Sequence, residues 1–271
     1  MISKYFIYKG VWICNNNCST EKLSSRECKI LLDKGGYCIR HTYNFDKKNI
    51  KTSFWYVIKD SFGGIEELPT KVRNMVRKSL RTYEIKKISN KADILNFGYS
   101  IFVSAQISYK VNCDVMSHNN FINYANELIN KTDIEIWSVK NIITNEVVAL
   151  AINTIHNNEW CEYNTLKATN NALHDNSYPY YGLIYEMNRY YLQEKKLKYV
   201  SDGARSITNH SNIQPFLIDK FKFRKAYCDI EIIYQWWLKP IITILYPFRN
   251  IIPVAKIKSF LNMEAMARGE I

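Results

Sequence analysis

Asp202 stands in the string Ser201-Asp202-Gly203-Ala204-Arg205, at the C-terminal end of a strand predicted over 197–201, where open α/β sheets place their ligands. A carboxylate there can take a proton or anchor an acceptor, and Gly203 lets the backbone turn sharply behind it. The competing role is structural, with Asp202 capping the next turn and Arg205 as its ion-pair partner. His210, flanked by Asn209 and Asn212, is near enough in sequence to face the same cleft, and an imidazole titrates where proton transfer needs it. In a polar loop it also reads as an exposed side chain. Glu162 and Tyr163 are neighbours in a strand predicted over 159–168, so alternation allows only one of them to face a cleft. Cys161 with His156 or His210 has the composition of a thiol nucleophile, yet nothing in the sequence activates that thiol.

Other groups point to anions. Arg73, Arg77 and Arg81 recur every fourth residue beside the apolar stripe of Val72, Val76 and Leu80, with Lys71 and Lys78 close by. Such a row is either a ridge for an anionic ligand or a solvated basic face. The net charge of +12 and a pI near 9.2 draw polyanions in general: nucleic acid, anionic lipid, or the phosphates of a nucleotide-like molecule. Cys14, Cys18, Cys28 and Cys38 fall early in the chain, but Cys28 and Cys38 are too far apart to form the second ligand knuckle of a zinc site. The expectation is no metal, with Cys28 and Cys38 as small buried apolar residues.

These residues must be positioned by a chain of 271 residues, 47% of them hydrophobic, which is enough to bury a substantial core and too apolar for disorder. No uninterrupted apolar run reaches about 18 residues, and Lys4 and Lys9 break up the first segment. Neither a spanning helix nor a signal peptide is expected. Seven scattered cysteines, an odd number, fit a reducing compartment, so the expected location is cytoplasmic.

The pattern predicts a strand over Ile2 to Cys14, a helix over Thr20 to Asp33, and strands over Tyr37 to Tyr43 and Ser53 to Lys59. Leu68 to Tyr83 is a helix, with Pro69 in its first turn. Lys86 to Ser89 reads as a strand, and Ile94 to Tyr109 is ambiguous. A helix over Phe121 to Asn130 precedes three antiparallel strands, Ile134 to Lys140, Glu146 to His156 and Glu159 to Ala168. Helix, strand, helix and strand follow over Tyr180 to Gln193, Leu197 to Ser201, Ile213 to Phe221 and Phe223 to Tyr234. Trp236 to Arg249 is apolar and aromatic and needs a cover: the domain's own sheet, a homodimer contact, or a peripheral membrane contact aided by Lys239, Arg249, Lys256 and Lys258. The last helix, Val254 to Arg268, stops at Gly269.

The succession of meander, helix, strand, helix and strand over Ile134 to Tyr234 resembles the second half of the acyl-CoA N-acyltransferase (GNAT-like) fold. In that fold two neighbouring strands splay, and cofactor and acceptor meet in the gap. The string Ile213-Gln214-Pro215-Phe216-Leu217-Ile218-Asp219-Lys220-Phe221-Lys222-Phe223-Arg224-Lys225-Ala226-Tyr227 looks like the closing helix and strand of that family, with Lys222 where glycine is usual. Leu68 to Lys78 resembles the early basic helix of the FemAB-related branch, which often carries two such folds in tandem.

The resemblance implies an α/β fold: a GNAT-like mixed, largely antiparallel splayed sheet flanked by helices, with a partial second copy at the N-terminus. The corresponding division is an N-terminal portion over 1–90, an acyltransferase core over 91–235 and a C-terminal tail over 236–271. It implies acetyl-CoA or another acyl-CoA as donor, no metal, and a small-molecule acceptor, an amine or hydroxyl on a nucleotide-sugar or envelope polysaccharide precursor; some FemAB-like relatives use aminoacyl-tRNA instead. The glycine-rich pyrophosphate loop of the family is missing. Ser177, Tyr180, Tyr181 and Gly182 stand in its place at a helix start, the position that holds phosphate through backbone N–H groups. Asp202, His210 and Glu162 are then the catalytic candidates, and Tyr163, Arg205, Arg73 and Arg77 the substrate-binding ones. Tyr227 is a further acid for a leaving thiolate. The alternative function is a non-catalytic module that keeps the fold and grips a polyanion such as RNA, although no nucleic-acid motif is present.

Overall fold

A computed structural model describes residues 5–14, 22–47, 51–108, 115–207 and 213–270. The chain forms two compact units, and neither is continuous in sequence. The first takes Met1–Val57, Gly203–Gln214 and Arg224–Ile271; the second takes Ile58–Asp202 and Pro215–Phe223. The division therefore does not fall near residue 90, and the C-terminal segment belongs to the same unit as the N-terminus.

In the first unit, β1 (Tyr5–Tyr8) and β2 (Val11–Cys14) form an antiparallel hairpin with Tyr8 opposite Val11. The single strand expected over Ile2 to Cys14 is thus folded back on itself. Lys9 and Gly10 both have positive φ, the geometry of the two-residue turn whose twist matches the strands. Helix α1 (Ser25–Asp33) opens with a Ser24/Glu27 capping box. Strand β3 (Cys38–Tyr43) runs parallel to β2 and antiparallel to β10 (Arg224–Tyr234), giving the order β1, β2, β3, β10. Alternation sends Trp12, Ile39 and Ile233 towards Leu31 of α1. Val11, Cys38 and Tyr234 face the other way, onto α8 (Leu238–Leu245) and α9 (Ala255–Ala267). Leu238 and Ile242 of α8 are buried, whereas Trp236, Ile241, Ile244, Phe248 and Ile251 stay exposed. The apolar tail thus covers its own sheet with one face only.

The chain passes between units within β4 (Phe54–Lys59) and β9 (Tyr199–Ala204), and again after Gln214 and after Phe223. In the second unit, α2 (Thr70–Thr82) follows Pro69 and leads directly into β5 (Tyr83–Lys87). The ambiguous stretch after residue 94 is α3 (Ile94–Ile107); its apolar residues are spread around the helix, which blurs its periodicity. Next come α4 (His118–Asn130), capped by Ser117, and the meander β6 (Ile134–Asn141), β7 (Val147–His156) and β8 (Trp160–Ala168). A short α5 (Asn170–His174), α6 (Pro179–Asn188) and α7 (Ile213–Phe221) complete the elements. Strands β5 to β8 pair antiparallel in sequence order, and β9 joins β8 in parallel. One face, with Ile134, Ile136, Leu150 and Ile152, packs on Ile94, Ile101, Phe121 and Leu128 of α3 and α4. On the opposite face lies α6, with Met187 at the side chain of Asn153.

Candidate functional site

The chemistry-bearing residues of the second unit gather where β8 and β9 part. Their parallel register runs from Trp160↔Tyr199 to Glu162↔Ser201 and stops there, while β8 continues to Ala168. At the same level the register of β8 against β7 shifts: Asn153 pairs with Tyr163 and Ile152 with Thr165, which leaves Asn164 as the extra residue of a bulge. A bulge bends its strand and redirects the side chains on either side of it. The strand pair therefore opens into a V at Glu162 and Ser201, and Asp202 is the next residue of β9.

Alternation separates the adjacent pair in β8. Tyr163 faces α6 and is buried, its hydroxyl donating to Asn188 Oδ1 at 2.8 Å. Burial first, with Cys161 and Asp202 adding negative potential, pushes this phenol well above its ordinary pKa, so Tyr163 stays neutral and acts as a hydrogen-bonding group. Glu162 faces the α3 side, where its carboxylate lies 3.1 Å from His156 Nε2; the imidazole stacks on Trp160 at 3.9 Å between ring centroids. Cys161 is fully buried and its thiol is pushed well up by that burial. It is a core residue, because a thiol held neutral is a poor nucleophile. Asp202 is half-buried at the end of β9. His210 lies outside the described residues.

Under the V, Tyr191 is completely buried and its hydroxyl receives hydrogen bonds from Trp137 Nε1 at 2.9 Å and Asn153 Nδ2 at 3.1 Å. It sits in a π-helical turn, Arg189–Glu194, that continues α6. Such turns widen a helix locally and are frequent near functional sites. The turn explains why the helical periodicity runs on to Gln193 in sequence although α6 itself ends at Asn188.

The four residues proposed for the phosphate position divide by role. Ser177 is buried: its hydroxyl bonds Tyr83 and Asp175, and its N–H donates to Asp175 Oδ1 at 2.8 Å. Gly182 faces α2 and β5, where an added β-carbon would lie within 2.5 Å of both Ser79 Oγ and Ile85 Cδ1. Both serve packing. Tyr180 and Tyr181 lie in the first turn of α6 beyond Pro179; the Tyr181 N–H donates to the Tyr178 carbonyl at 3.0 Å, and its ring packs edge-on to Phe216 of α7. The loop before α6 turns by left-handed Asn176 and Tyr178 in place of glycine.

The basic ridge on α2 is partly neutralised. Arg73 is paired with Glu66, and Arg77 Nη2 reaches the same carboxylate at 3.4 Å. Arg205 belongs to the first unit: its Nη1 donates to the Ser53 carbonyl at 2.7 Å and its guanidinium lies 5.6 Å from the Trp55 ring centroid. Tyr227 is an exposed residue of β10 in that unit. Lys222, at the place of the family's glycine, has φ 59°, so this lysine adopts the left-handed conformation that glycine would supply.

No protein-family model matches the sequence, and no curated protein matches it. Solved structures do match. FemX superposes with a TM-score of 0.56 at 11% identity, over 89% of this chain and 85% of that one. L-PGS from Bacillus licheniformis gives 0.51 at 9% identity, over 97% and 85%. The C-terminal domain of a putative lysylphosphatidylglycerol synthetase from Agrobacterium fabrum gives 0.50 at 11%, over 89% and 84%. The strand pair that parts at Glu162, the meander before it and these likenesses together give the chain a GNAT-like, FemAB-related fold.

Proposed function

We propose that the chain is an acyltransferase that moves an acyl group from acyl-CoA, acetyl-CoA in the simplest case, to an amine or hydroxyl of a small acceptor such as a nucleotide-sugar or another envelope precursor. The observation that carries this reading is the V between β8 and β9, with the half-buried carboxylate of Asp202 at its edge and the buried Tyr163–Asn188 pair beside it. The V gives the thioester a place between two strands, and the positive end of the α6 dipole favours anionic groups of the donor.

In the transfer, the acceptor nitrogen or oxygen attacks the thioester carbonyl and gives its proton to Asp202. The new N–C or O–C bond forms as the C–S bond breaks, and the electron pair leaves with the CoA thiolate, which then takes up a proton. Tyr163 and Asn188 hold the strand in place without exchanging a proton. Orientation of the two reactants supplies much of the acceleration, and a positioned base contributes roughly 10²–10⁴-fold.

The test is release of CoA thiol from acetyl-CoA by the full chain over a panel of amines, amino sugars and nucleotide-sugars, beside Asp202→Asn. An active acceptor with the variant slowed about 100-fold or more supports the reading. A variant as fast as the wild type removes Asp202 from the chemistry. Absence of acetyl-CoA binding at about 1 mM, a free energy near −4 kcal/mol, removes the donor.

A further inference from the structure

The helical run from Trp237 through α8 to the 3₁₀ turn Tyr246–Phe248 carries two apolar stripes, of which the sheet uses one. Leu238, Ile242 and Tyr246 form the first, buried in the cluster that holds Val11 and Cys38. Trp237, Ile241, Ile244 and Phe248 recur at steps of four, three and four residues, which puts them together on another side of the helix, and all four are exposed. Trp236 before the run, 84% exposed, and Ile251 after it, 76% exposed, flank this second stripe in the chain. Single exposed apolar residues are ordinary, but a contiguous group of them marks a surface that meets something.

Charge narrows what that is. From Trp236 to Met263 the chain has four cations, Lys239, Arg249, Lys256 and Lys258, and no aspartate or glutamate. Arg249 is paired with Glu270 at 3.0 Å, while Lys239, Lys256 and Lys258 are exposed. Lys256 and Lys258 stand in the first turn of α9, which holds no acidic residue; the helix dipole disfavours cations there, and an external anion relieves the conflict. A second copy of the chain would oppose this surface with its own cations, because a two-fold interface sets like against like. Side chains as exposed as Trp236 and Ile251 project from the surface and line no groove. A protein partner would need pockets matched to them, whereas a bilayer interface closes around projecting side chains of any shape. Among the described residues no helix is long and apolar enough to cross a membrane, so the contact is interfacial.

We infer that this surface docks the first unit on an anionic bilayer, with Trp236, Trp237, Ile241, Ile244, Phe248 and Ile251 at the acyl boundary and Lys239, Lys256 and Lys258 at the headgroups. Tryptophan suits that depth because its ring is apolar and its N–H polar. The lysines attract the charged surface without selecting any one lipid, each strengthening binding about fivefold. Apolar area and charge act together, and the contact is peripheral and reversible.

The experiment is sedimentation of the full chain with vesicles of phosphatidylcholine containing about 30% phosphatidylserine, beside vesicles of phosphatidylcholine alone. The expected result is binding to the anionic vesicles with a blue shift of tryptophan emission, binding about tenfold or more weaker to the neutral ones, and loss of affinity between about 0.1 and 0.5 M salt. Trp236→Ser/Ile244→Ser, a change at two exposed positions that leaves the urea midpoint where it was, weakens binding about tenfold or more. Lys239→Gln/Lys258→Gln also weakens it about tenfold or more, as two lysines at about fivefold each require. Absence of binding to the anionic vesicles overturns the inference. So does unchanged affinity in Trp236→Ser/Ile244→Ser, which would reduce the contact to the general attraction of a basic protein for an anionic surface. A wild-type dimer by light scattering that Trp236→Ser/Ile244→Ser turns into a monomer also overturns it and gives the surface to a second copy of the chain.

Discussion

Gly182 separates two explanations of a glycine near a helix start: close approach of a ligand phosphate, or close approach of another element. In Gly182→Ala the new methyl group meets Ser79 Oγ and Ile85 Cδ1, both within 2.5 Å, and Ser79 is fully buried in α2. Overpacking of this kind costs about 1–3 kcal/mol, while alanine in a helix interior returns about 1 kcal/mol relative to glycine. Two contacts this short place the cost in the upper part of that range, about 2–3 kcal/mol, so the net expectation is a loss of about 1–2 kcal/mol, read as a lower urea midpoint at unchanged slope. Ser79→Ala removes one of the two obstructing atoms and also a buried hydroxyl that has no hydrogen-bond partner among the described residues. The double variant Gly182→Ala/Ser79→Ala is therefore expected to regain about half of the loss, a coupling of about 0.5–1 kcal/mol. A Gly182→Ala variant with wild-type stability and weakened acetyl-CoA binding would refute the packing argument and return Gly182 to the ligand.

Three further outcomes are expected. Lys59 is 3% exposed and pairs with Glu67 at 2.8 Å; Glu67→Gln leaves a buried ammonium without its carboxylate, which should cost about 3 kcal/mol in urea unfolding, and Lys59→Met/Glu67→Gln should recover most of it. Lys222 occupies left-handed backbone, so Lys222→Gly should raise stability by about 0.5–1 kcal/mol, and a fall would contradict that conformation. Burial pushes the Cys38 thiol up to about 12, whereas the unfolded thiol titrates near 8.5. The unfolded chain thus loses this proton first, and stability should fall between about pH 9 and pH 12 with a slope approaching 1.4 kcal/mol per pH unit. Cys38→Ala should remove that component of the slope in urea midpoints measured across the range.

Much of the second unit was legible because its signals are local. Val72 and Val76 mark the buried face of α2, and the meander reads from apolar alternation around the turn at Ile143-Thr144-Asn145. The third position of the α2 stripe is Ser79 instead of Leu80, since α6 approaches through Gly182 and admits only a small residue. The hairpin at Lys9-Gly10 was missed although a residue followed by glycine between apolar runs is its usual mark; Tyr5 to Cys14 is apolar enough to pass for one strand. Arg40 of β3, whose Nε is sealed from solvent, gave no signal at all: an arginine in a strand looks solvated, and only the pairing of β3 with both β2 and β10 encloses it. The site residues were legible as chemical types, but their facing was not, because the bulge at Asn164 that turns the strand leaves no pattern in the residues around it.

The first unit is closed by its last strand. Asn44, just after β3, donates to Asp229 of β10 across 185 positions of chain, at 2.8 Å. While the chain is being synthesised at about 5–20 residues per second, β3 would wait roughly 10–40 s for that neighbour. Its open edge and the apolar face of Val11 and Cys38 remain uncovered for that interval, whereas most of the second unit has already been made. The nascent chain therefore exposes a strand edge that β10, α8 and α9 must protect, and the yield of folded protein should depend on how quickly those elements follow.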